Sequence, residues 1–229
     1  MLVIPVIDIR HGVVVRAVAG DRANYKPIVS PLFDGCDPNT AVRGLMALHP
    51  FPVIYVADLD GIEGRGANLT LIEQLLTGNP AAQFWVDNGA WNEADVAQLI
   101  RFPRTSVVVG SEMGLVPSQM DSFKRLASDR LILSLDHRAD GFWGDPDILA
   151  ECQCWPDRVI AMTLAQVGAA KGPDLATFKA IKQRHPTGHV YAAGGIASPA
   201  HLEAARQAGA TGALISTALH AQTITAGDL

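Results

Sequence analysis

The chain has 229 residues, 48% hydrophobic and 18% charged, with a formal net charge of −5. That length suits one large domain or two small ones, and the apolar share is ample for a sizeable core. The acidic balance argues against a nucleic-acid partner or an acidic membrane surface, no apolar run approaches the roughly 20 residues that span a bilayer, and three cysteines, an odd count, point to a reducing, cytoplasmic setting.

The opening MLVIPVIDIR has no basic stretch ahead of its apolar run and meets Asp8 at once, so it reads as a first strand and not a signal peptide. Residues 2–7 are apolar and β-branched without alternation, the pattern of a strand buried on both faces, ending at Asp8. Residues 11–18 look like a small hairpin arm, and 19–37 form a long loop rich in Gly, Pro and Asp. A helical pattern covers 38–48. Strand two is expected over 52–57, ending in Asp58-Leu59-Asp60-Gly61. A helix over 68–77 follows, with Leu69, Ile72, Leu75 and Leu76 on one face. Strand three, 83–86, ends in Asp87-Asn88-Gly89, and Asn92 can cap a helix reaching Arg101. Strand four, 106–109, ends in Gly110-Ser111 before a helix over 117–128. Strand five, 130–135, ends in Asp136, before a loop at 139–144 and a short helix within 145–154. Strand six, 158–161, ends in Met162-Thr163, before a loop at 166–172 and a helix over 173–185.

The last unit is the most informative. Strand seven, 189–193, runs into Gly194-Gly195-Ile196; Ser198 then caps a helix with Pro199 in its first position, and Gly209 stops it. Strand eight, 212–215, ends in Ser216-Thr217, with a short helix expected from Thr217. Two glycines directly after a strand let backbone N–H groups approach an anion closely. Gly194, Gly195, Ser216 and Thr217 therefore form a candidate phosphate cradle, beside the plainer alternative of a tight turn without a ligand.

Eight apolar strands, each followed by a loop and a helical pattern at roughly 25–30-residue spacing, predict a single (β/α)₈ TIM barrel spanning 1–229. A doubly wound sheet is the alternative, but no G-x-G-x-x-G follows the first strand. The two halves also resemble each other at an offset of 106 residues. Residues 88–96 lie over 194–202, and Gly110-Ser111 over Ser216-Thr217. Strand one ends Val6-Ile7-Asp8 and strand five Ser134-Leu135-Asp136. Such a half-barrel internal duplication implies pseudo-twofold symmetry. Anion cradles would sit on opposite rims, with Asp8 and Asp136 facing each other across the mouth.

In such a barrel, polar residues at the C-terminal strand ends point into a shared mouth. Asp8, Asp58, Asp87, Asp136 and Thr163 hold those positions. Two opposed carboxylates can divide base and acid work, one ionised and one kept protonated by its surroundings. The matched placement of Asp8 and Asp136 in both halves favours that role over simple capping of loop amides. Asp58 and Asp60 are read as ordering the loop after strand two. His137, one step past a strand end, is expected to point away. Trp85, Trp91, Trp143 and Trp155 are read mainly as packing, with Trp143 a candidate to stack on a ring in the mouth. Arg65 and Lys171 lie in loops from which they could reach a phosphate. Cys152-x-Cys154 lacks a second Cys/His pair at zinc-site spacing, so no metal site is expected.

Ile4-Pro5-Val6-Ile7-Asp8, Gly12-x-Val14-Val15-Arg16, Gly20-Asp21, Asp58-Leu59-Asp60-Gly61, Val109-Gly110-Ser111, Ser134-Leu135-Asp136 and Gly194-Gly195-Ile196 occur in an order that resembles the histidine-biosynthesis phosphoribosyl isomerase/cyclase superfamily. The isomerase branch, which acts on ProFAR (phosphoribosylformimino-aminoimidazole carboxamide ribotide), is the more similar. The cyclase's usual first-strand Lys and Cys are missing here. The resemblance implies an aldose–ketose (Amadori) isomerase of a phosphorylated aminosugar, with no metal or organic cofactor. It implies Asp8 as base, Asp136 as acid, and Thr163 as the remnant of a catalytic strand end. One phosphate would lie on Gly89, Gly110 and Ser111, the other on Gly194, Gly195, Ser216 and Thr217. The expected partner is a small phosphorylated substrate, without nucleic acid or membrane; oligomeric state is left open.

The chain departs from the family's usual pattern at three strand ends. Strand three reads Asp87-Asn88-Gly89-Ala90-Trp91 in place of a Gly-Gly-Gly-(Ile/Val)-Arg run. An aspartate beside a phosphate repels it, and the Arg is missing. Strand six has lost both aspartates of Thr-Asp-Ile-x-x-Asp-Gly-Thr and keeps a Thr one place along, and the usual Gly of strand eight is Ser216. These changes keep open a divergent branch, known from archaea and methylotrophs alongside one-carbon cofactor (methanopterin or methanofuran) biosynthesis, and a barrel that binds a phosphorylated ligand without turnover.

Overall fold

A computed structural model describes residues 1–18, 20–168 and 172–229. Eight parallel strands form its frame: β1 (Leu2–Arg10), β2 (Val53–Asp58), β3 (Gln83–Asp87), β4 (Thr105–Gly110), β5 (Leu131–Arg138), β6 (Arg158–Thr163), β7 (His189–Ala193) and β8 (Gly212–Ile215). They pair in chain order, and β8 pairs back onto β1 through Leu2–Gly212 to Pro5–Ile215. The sheet is therefore a closed barrel without edges, the predicted (β/α)₈ architecture. The main connecting helices are α1 (Pro38–Leu48), α2 (Leu69–Gly78), α3 (Glu93–Ile100), α4 (Pro117–Ala127), α5 (Pro146–Ala150), α6 (Leu175–Arg184), α7 (Pro199–Gln207) and α8 (Thr217–His220).

The strands lack alternation because both faces are buried in separate cores. One face, with Val42, Leu45, Phe84, Val107, Leu133 and Ile181, packs the barrel against its helices. The other, with Ile4, Tyr55, Trp85, Val108, Ile132, Ile160, Tyr191 and Leu214, plugs the interior. Trp85 and Tyr191 meet edge to face inside it at 4.8 Å. Helix starts follow local chemistry. The side chains of Asp37, Asn92 and Ser198 each accept a backbone N–H from the first turn of α1, α3 and α7.

Asn92 and Ser198 are also the two halves' matched caps, and each follows a left-handed glycine, Gly89 (φ 72°) or Gly195 (φ 80°). Ser111 and Thr217, matched likewise, each begin a short helical turn. The repeat is thus visible in local geometry.

Two strands run further than expected. β1 continues to Arg10, because Asp8, Ile9 and Arg10 pair antiparallel with a returning strand, Val13–Arg16. β5 continues to Arg138, where His137 and Arg138 pair with Gly141–Phe142. The long loop after β1 is partly ordered, with a helical turn at Arg22–Asn24 and a short strand at Lys26–Pro27. No helix of the described residues is long and apolar enough to cross a membrane.

Candidate active site

Side chains two apart on a strand share a face, so each strand's interior set continues into the barrel mouth. On β1 the set Ile4, Val6 leads to Asp8; on β3, Trp85 leads to Asp87; on β5, Ile132 and Ser134 lead to Asp136; on β6, Ile160 leads to Met162. Asp8, Asp87, Asp136 and Met162 all line one cavity of about 420 Å³ above the interior plug. Asp8 and Asp136, 128 positions apart in the chain, therefore open on one space.

The same period of two removes Thr163. It stands beside His137 in the β5–β6 ladder, while Met162 stands beside Asp136 and Ala193. Thr163 is buried, and it is absent from the cavity lining. Its side chain therefore lies on the helix-facing side of the strand, and the Met162 thioether faces the mouth. The expectation that Thr163 serves the mouth is corrected accordingly.

The predicted cradle after β7 and β8 lies on the cavity. Gly194, Gly195, Ile196, Ser216, Thr217 and Ala218 line it. Gly194 and Gly195 have φ of 100° and 80°, and a Cβ would fall 2.3 Å from the Thr163 carbonyl and 2.1 Å from that of Gly172. Glycine is required at both positions. The backbone N–H groups of Gly195, Ile196, Thr217 and Ala218 have no protein acceptor among the described residues.

The matched cradle after β3 and β4 is different, and none of Gly89, Gly110 or Ser111 lines the cavity. Gly89 packs on the loop after β2, where a Cβ would sit 2.7 Å from Ile62 Cα, and its N–H donates to Asp87 Oδ1 at 3.1 Å. A Cβ on Gly110 would meet Asp136 Oδ2 at 3.3 Å and Asp87 Oδ2 at 3.8 Å. Ser111 is fully buried; its hydroxyl reaches Asp136 Oδ2 at 3.1 Å and the Trp143 carbonyl at 2.9 Å, and it accepts the Asp136 N–H at 2.9 Å. The Glu112 N–H donates to Asp136 Oδ2 at 3.3 Å. The Gly89 N–H is spent on Asp87 and the Ser111 hydroxyl on acceptors of the protein, and none of the three residues opens on the cavity, so the expected site on Gly89, Gly110 and Ser111 is not assembled here.

Three carboxyls in the mouth titrate far above the usual carboxylate range. Burial lifts Asp8 from 3.8 to about 7, against the opposing charge of Arg22. Burial, then Glu112, lifts Asp87 to about 7, against hydrogen bonds from Gly89 and Tyr55. Burial, then Glu112, lifts Asp136 to about 7, against the Ser134 hydroxyl, which donates at 2.8 Å. Asp8 thus faces a cation, and Asp136 faces anions. Ser111 has a single proton for two acceptors, and the Trp143 carbonyl is the nearer. With that proton committed, Ser111 can accept one from a protonated Asp136.

Residues missed by sequence reasoning complete the mouth. Arg22, from the loop after β1, crosses to Glu112 at 2.6 Å. Arg10 donates to the Arg22 carbonyl and so steadies that loop. Tyr55, inside β2, donates to Asp87 Oδ2 at 3.2 Å. Nothing in the spacing marked Arg22 or Glu112, which are 90 positions apart and pair only in the tertiary fold. Tyr55's place in the alternation of β2 was the one available signal. Trp143 lines the cavity with the Arg138 guanidinium over its ring.

The remaining candidates are structural. The Asp58 carboxylate accepts from the Asn68 N–H at 2.6 Å, and Asp60 holds Arg65 and the His11 N–H. Arg65 is thereby paired with Asp60 and Glu63, away from any phosphate. His137 lies outside the cavity lining, its ring packed at a tilt against Phe142. Lys171 lies outside the described residues. No cluster of metal-ligating side chains occurs among the described residues.

Comparison with known proteins agrees with this architecture. A family profile described as "Histidine biosynthesis protein" matches residues 2–225. Proteins of Serratia proteamaculans and Aeromonas salmonicida are 28% and 26% identical, over 95% and 99% of this chain and 93% and 96% of their own. Both are named isomerases of an imidazole-4-carboxamide carrying a 5-phosphoribosyl and a (5-phosphoribosylamino)methylideneamino group. A Methanocaldococcus jannaschii protein, named only as uncharacterized, is 25% identical over 96% of this chain and 93% of its own. With its profile match running almost end to end, this barrel belongs to the histidine biosynthesis protein family.

Proposed function

We propose that the protein is an aldose–ketose isomerase that carries a phosphorylated aminosugar through an Amadori rearrangement by acid–base catalysis. One observation carries the reading: Asp8 and Asp136, both titrating near 7, open on the same cavity as a glycine cradle whose N–H groups have no protein acceptor among the described residues. The relatives' names describe isomerases of phosphoribosylamino compounds, which is the same reaction class.

In this mechanism Gly194, Gly195, Ser216 and Thr217 hold the substrate phosphate by backbone N–H and hydroxyl groups. Neutral Asp136, hydrogen-bonded through Ser111, gives its proton to the sugar ring oxygen. The ring opens, and the nitrogen lone pair forms an iminium at C1. Asp8, ionised above its pKa of about 7, where Arg22 opposes the effect of burial, removes the proton from C2. The electron pair moves into a C1–C2 enaminol, which takes a proton at C1 and loses one from the C2 hydroxyl. C1 is reduced and C2 oxidised within one molecule, so no external redox partner enters. Acid and base with pKa values near the working pH suit both transfers. Met162 takes no part in proton transfer.

The test is product formation by purified protein from phosphorylated aminoaldoses, both the relatives' substrate and an N-alkyl ribosylamine 5-phosphate, with ketose followed directly. Asp8→Asn should abolish turnover and leave inorganic phosphate binding intact. Wild-type protein that binds these compounds without converting any of them would overturn the reading in favour of a binding barrel.

A further inference from the structure

We propose that this cavity selects a ligand with a single phosphate at one end and an amino group at the other, and that Asp87 and Glu112, with Asp136, make that choice. The inference rests on reading the cavity as the substrate site.

The two ends have opposite hydrogen-bonding character. The β7–β8 end offers donors: N–H groups of Gly195, Ile196, Thr217 and Ala218 without protein acceptors among the described residues, and no carboxylate on those loops' part of the lining. The β3–β4 end offers acceptors. Two of its own donors are consumed, Gly89 N–H by Asp87 and Glu112 N–H by Asp136, and neither Ala90 nor Ser111 lines the cavity. The space beside Gly110 is taken by the two carboxylates. Asp87 is 6% exposed and Asp136 4%, so both lie where solvent screens little. The guanidinium that reaches this rim, Arg22, is paired with Glu112. The second cation of the lining, Arg138, lies over the Trp143 ring.

A second phosphate at this end would meet the carboxyl groups of Asp87, Glu112 and Asp136 and find the Gly89 and Glu112 N–H groups occupied. A protonated amine would meet the carboxyl oxygens of Asp87, Glu112 and Asp136. The relatives' named substrate carries two phosphoribosyl groups, so this rim departs from what such a substrate needs at both ends.

Calorimetric binding to the full chain decides the matter, with inorganic phosphate, glucose 6-phosphate, glucosamine 6-phosphate and glucose 1,6-bisphosphate as probes. The amino sugar is expected to bind about tenfold tighter than glucose 6-phosphate, a gain of about 1.4 kcal/mol. The bisphosphate is expected to bind no tighter than the monophosphate. Glu112→Gln releases Arg22 and should reverse the order, favouring the bisphosphate. Asp87→Asn leaves the Arg22–Glu112 pair in place and should erase the amine preference alone. A bisphosphate bound tenfold better by wild type, an absent amine preference, or ratios unmoved in both variants would overturn the proposal. Efficient turnover of the relatives' two-phosphate substrate would overturn it while upholding the isomerase reading. Failure of all four probes to bind would remove the reading of the cavity itself, and the proposal with it.

Discussion

Replacing Asp136 with Asn should make the protein more stable at alkaline pH while disabling it. In the folded state the Asp136 carboxyl titrates at about 7 instead of 3.8. At about 1.36 kcal/mol per pH unit, the difference corresponds to about 4 kcal/mol of penalty for holding the charge. Because the folded value is raised, the proton's contribution is fully present below pH 4, declines through the interval to pH 7, and is gone above it. Asp87 and Glu112 share the repulsion, so one neutral substitution releases about half, or about 2 kcal/mol. Asn suits the site: its oxygen can accept from Glu112 N–H, and its NH₂ can donate to Ser134 Oγ, both present partners of the carboxyl. For a chain of this length, with unfolding entropy of about 2.1 cal/mol/K per residue, 2 kcal/mol raises Tm by about 4 °C. The assay is thermal unfolding of wild type and variant at pH 5 and pH 8. The gain should occur at pH 8 and shrink strongly at pH 5. Turnover should fall about 10²–10⁴-fold, the usual range for a lost general acid. A variant less stable at pH 8, or a gain independent of pH, would refute the reasoning.

Other outcomes follow from the same geometry. Asp8→Asn should lower kcat by about 10²-fold or more with little change in phosphate affinity, which single-turnover and binding measurements separate. Gly195→Ala places a Cβ 2.1 Å from the Gly172 carbonyl at φ 80°; phosphate binding should weaken sharply in titration, with a stability loss of about 1–3 kcal/mol in denaturant melts. Thr163→Val should leave kcat/KM within about threefold, because the side chain lies off the cavity. Activity should follow a narrow bell centred near pH 7, since the proposed base and acid both titrate at about 7; a plateau from pH 5 to 9 would contradict those roles.

Much of the fold was legible in the chain because it rests on local rules. Unbroken apolar runs marked strands buried on both faces, and Asn92 and Ser198 announced their helices by their cap chemistry. The 106-residue echo matched Gly89 with Gly195, and the like endings of strands one and five matched Asp8 with Asp136. Strand ends were less legible. β1 and β5 overran their aspartates because the extra residues pair with short returning strands, an interaction that local composition does not encode.

What only the tertiary structure decided is which groups consume one another. Sequence determined that aspartates and glycines gather at the barrel mouth; it did not determine that Asp87 and Asp136 would take the Gly89 and Glu112 N–H groups of one cradle while those of the other have no protein acceptor among the described residues. Nor did it reveal Arg22 bridging to Glu112, or that Met162 and not Thr163 faces the mouth. The physical reason is range. Propensity, capping and period act within about one turn or one strand, whereas hydrogen-bond satisfaction and buried charge depend on side chains brought together from distant loops.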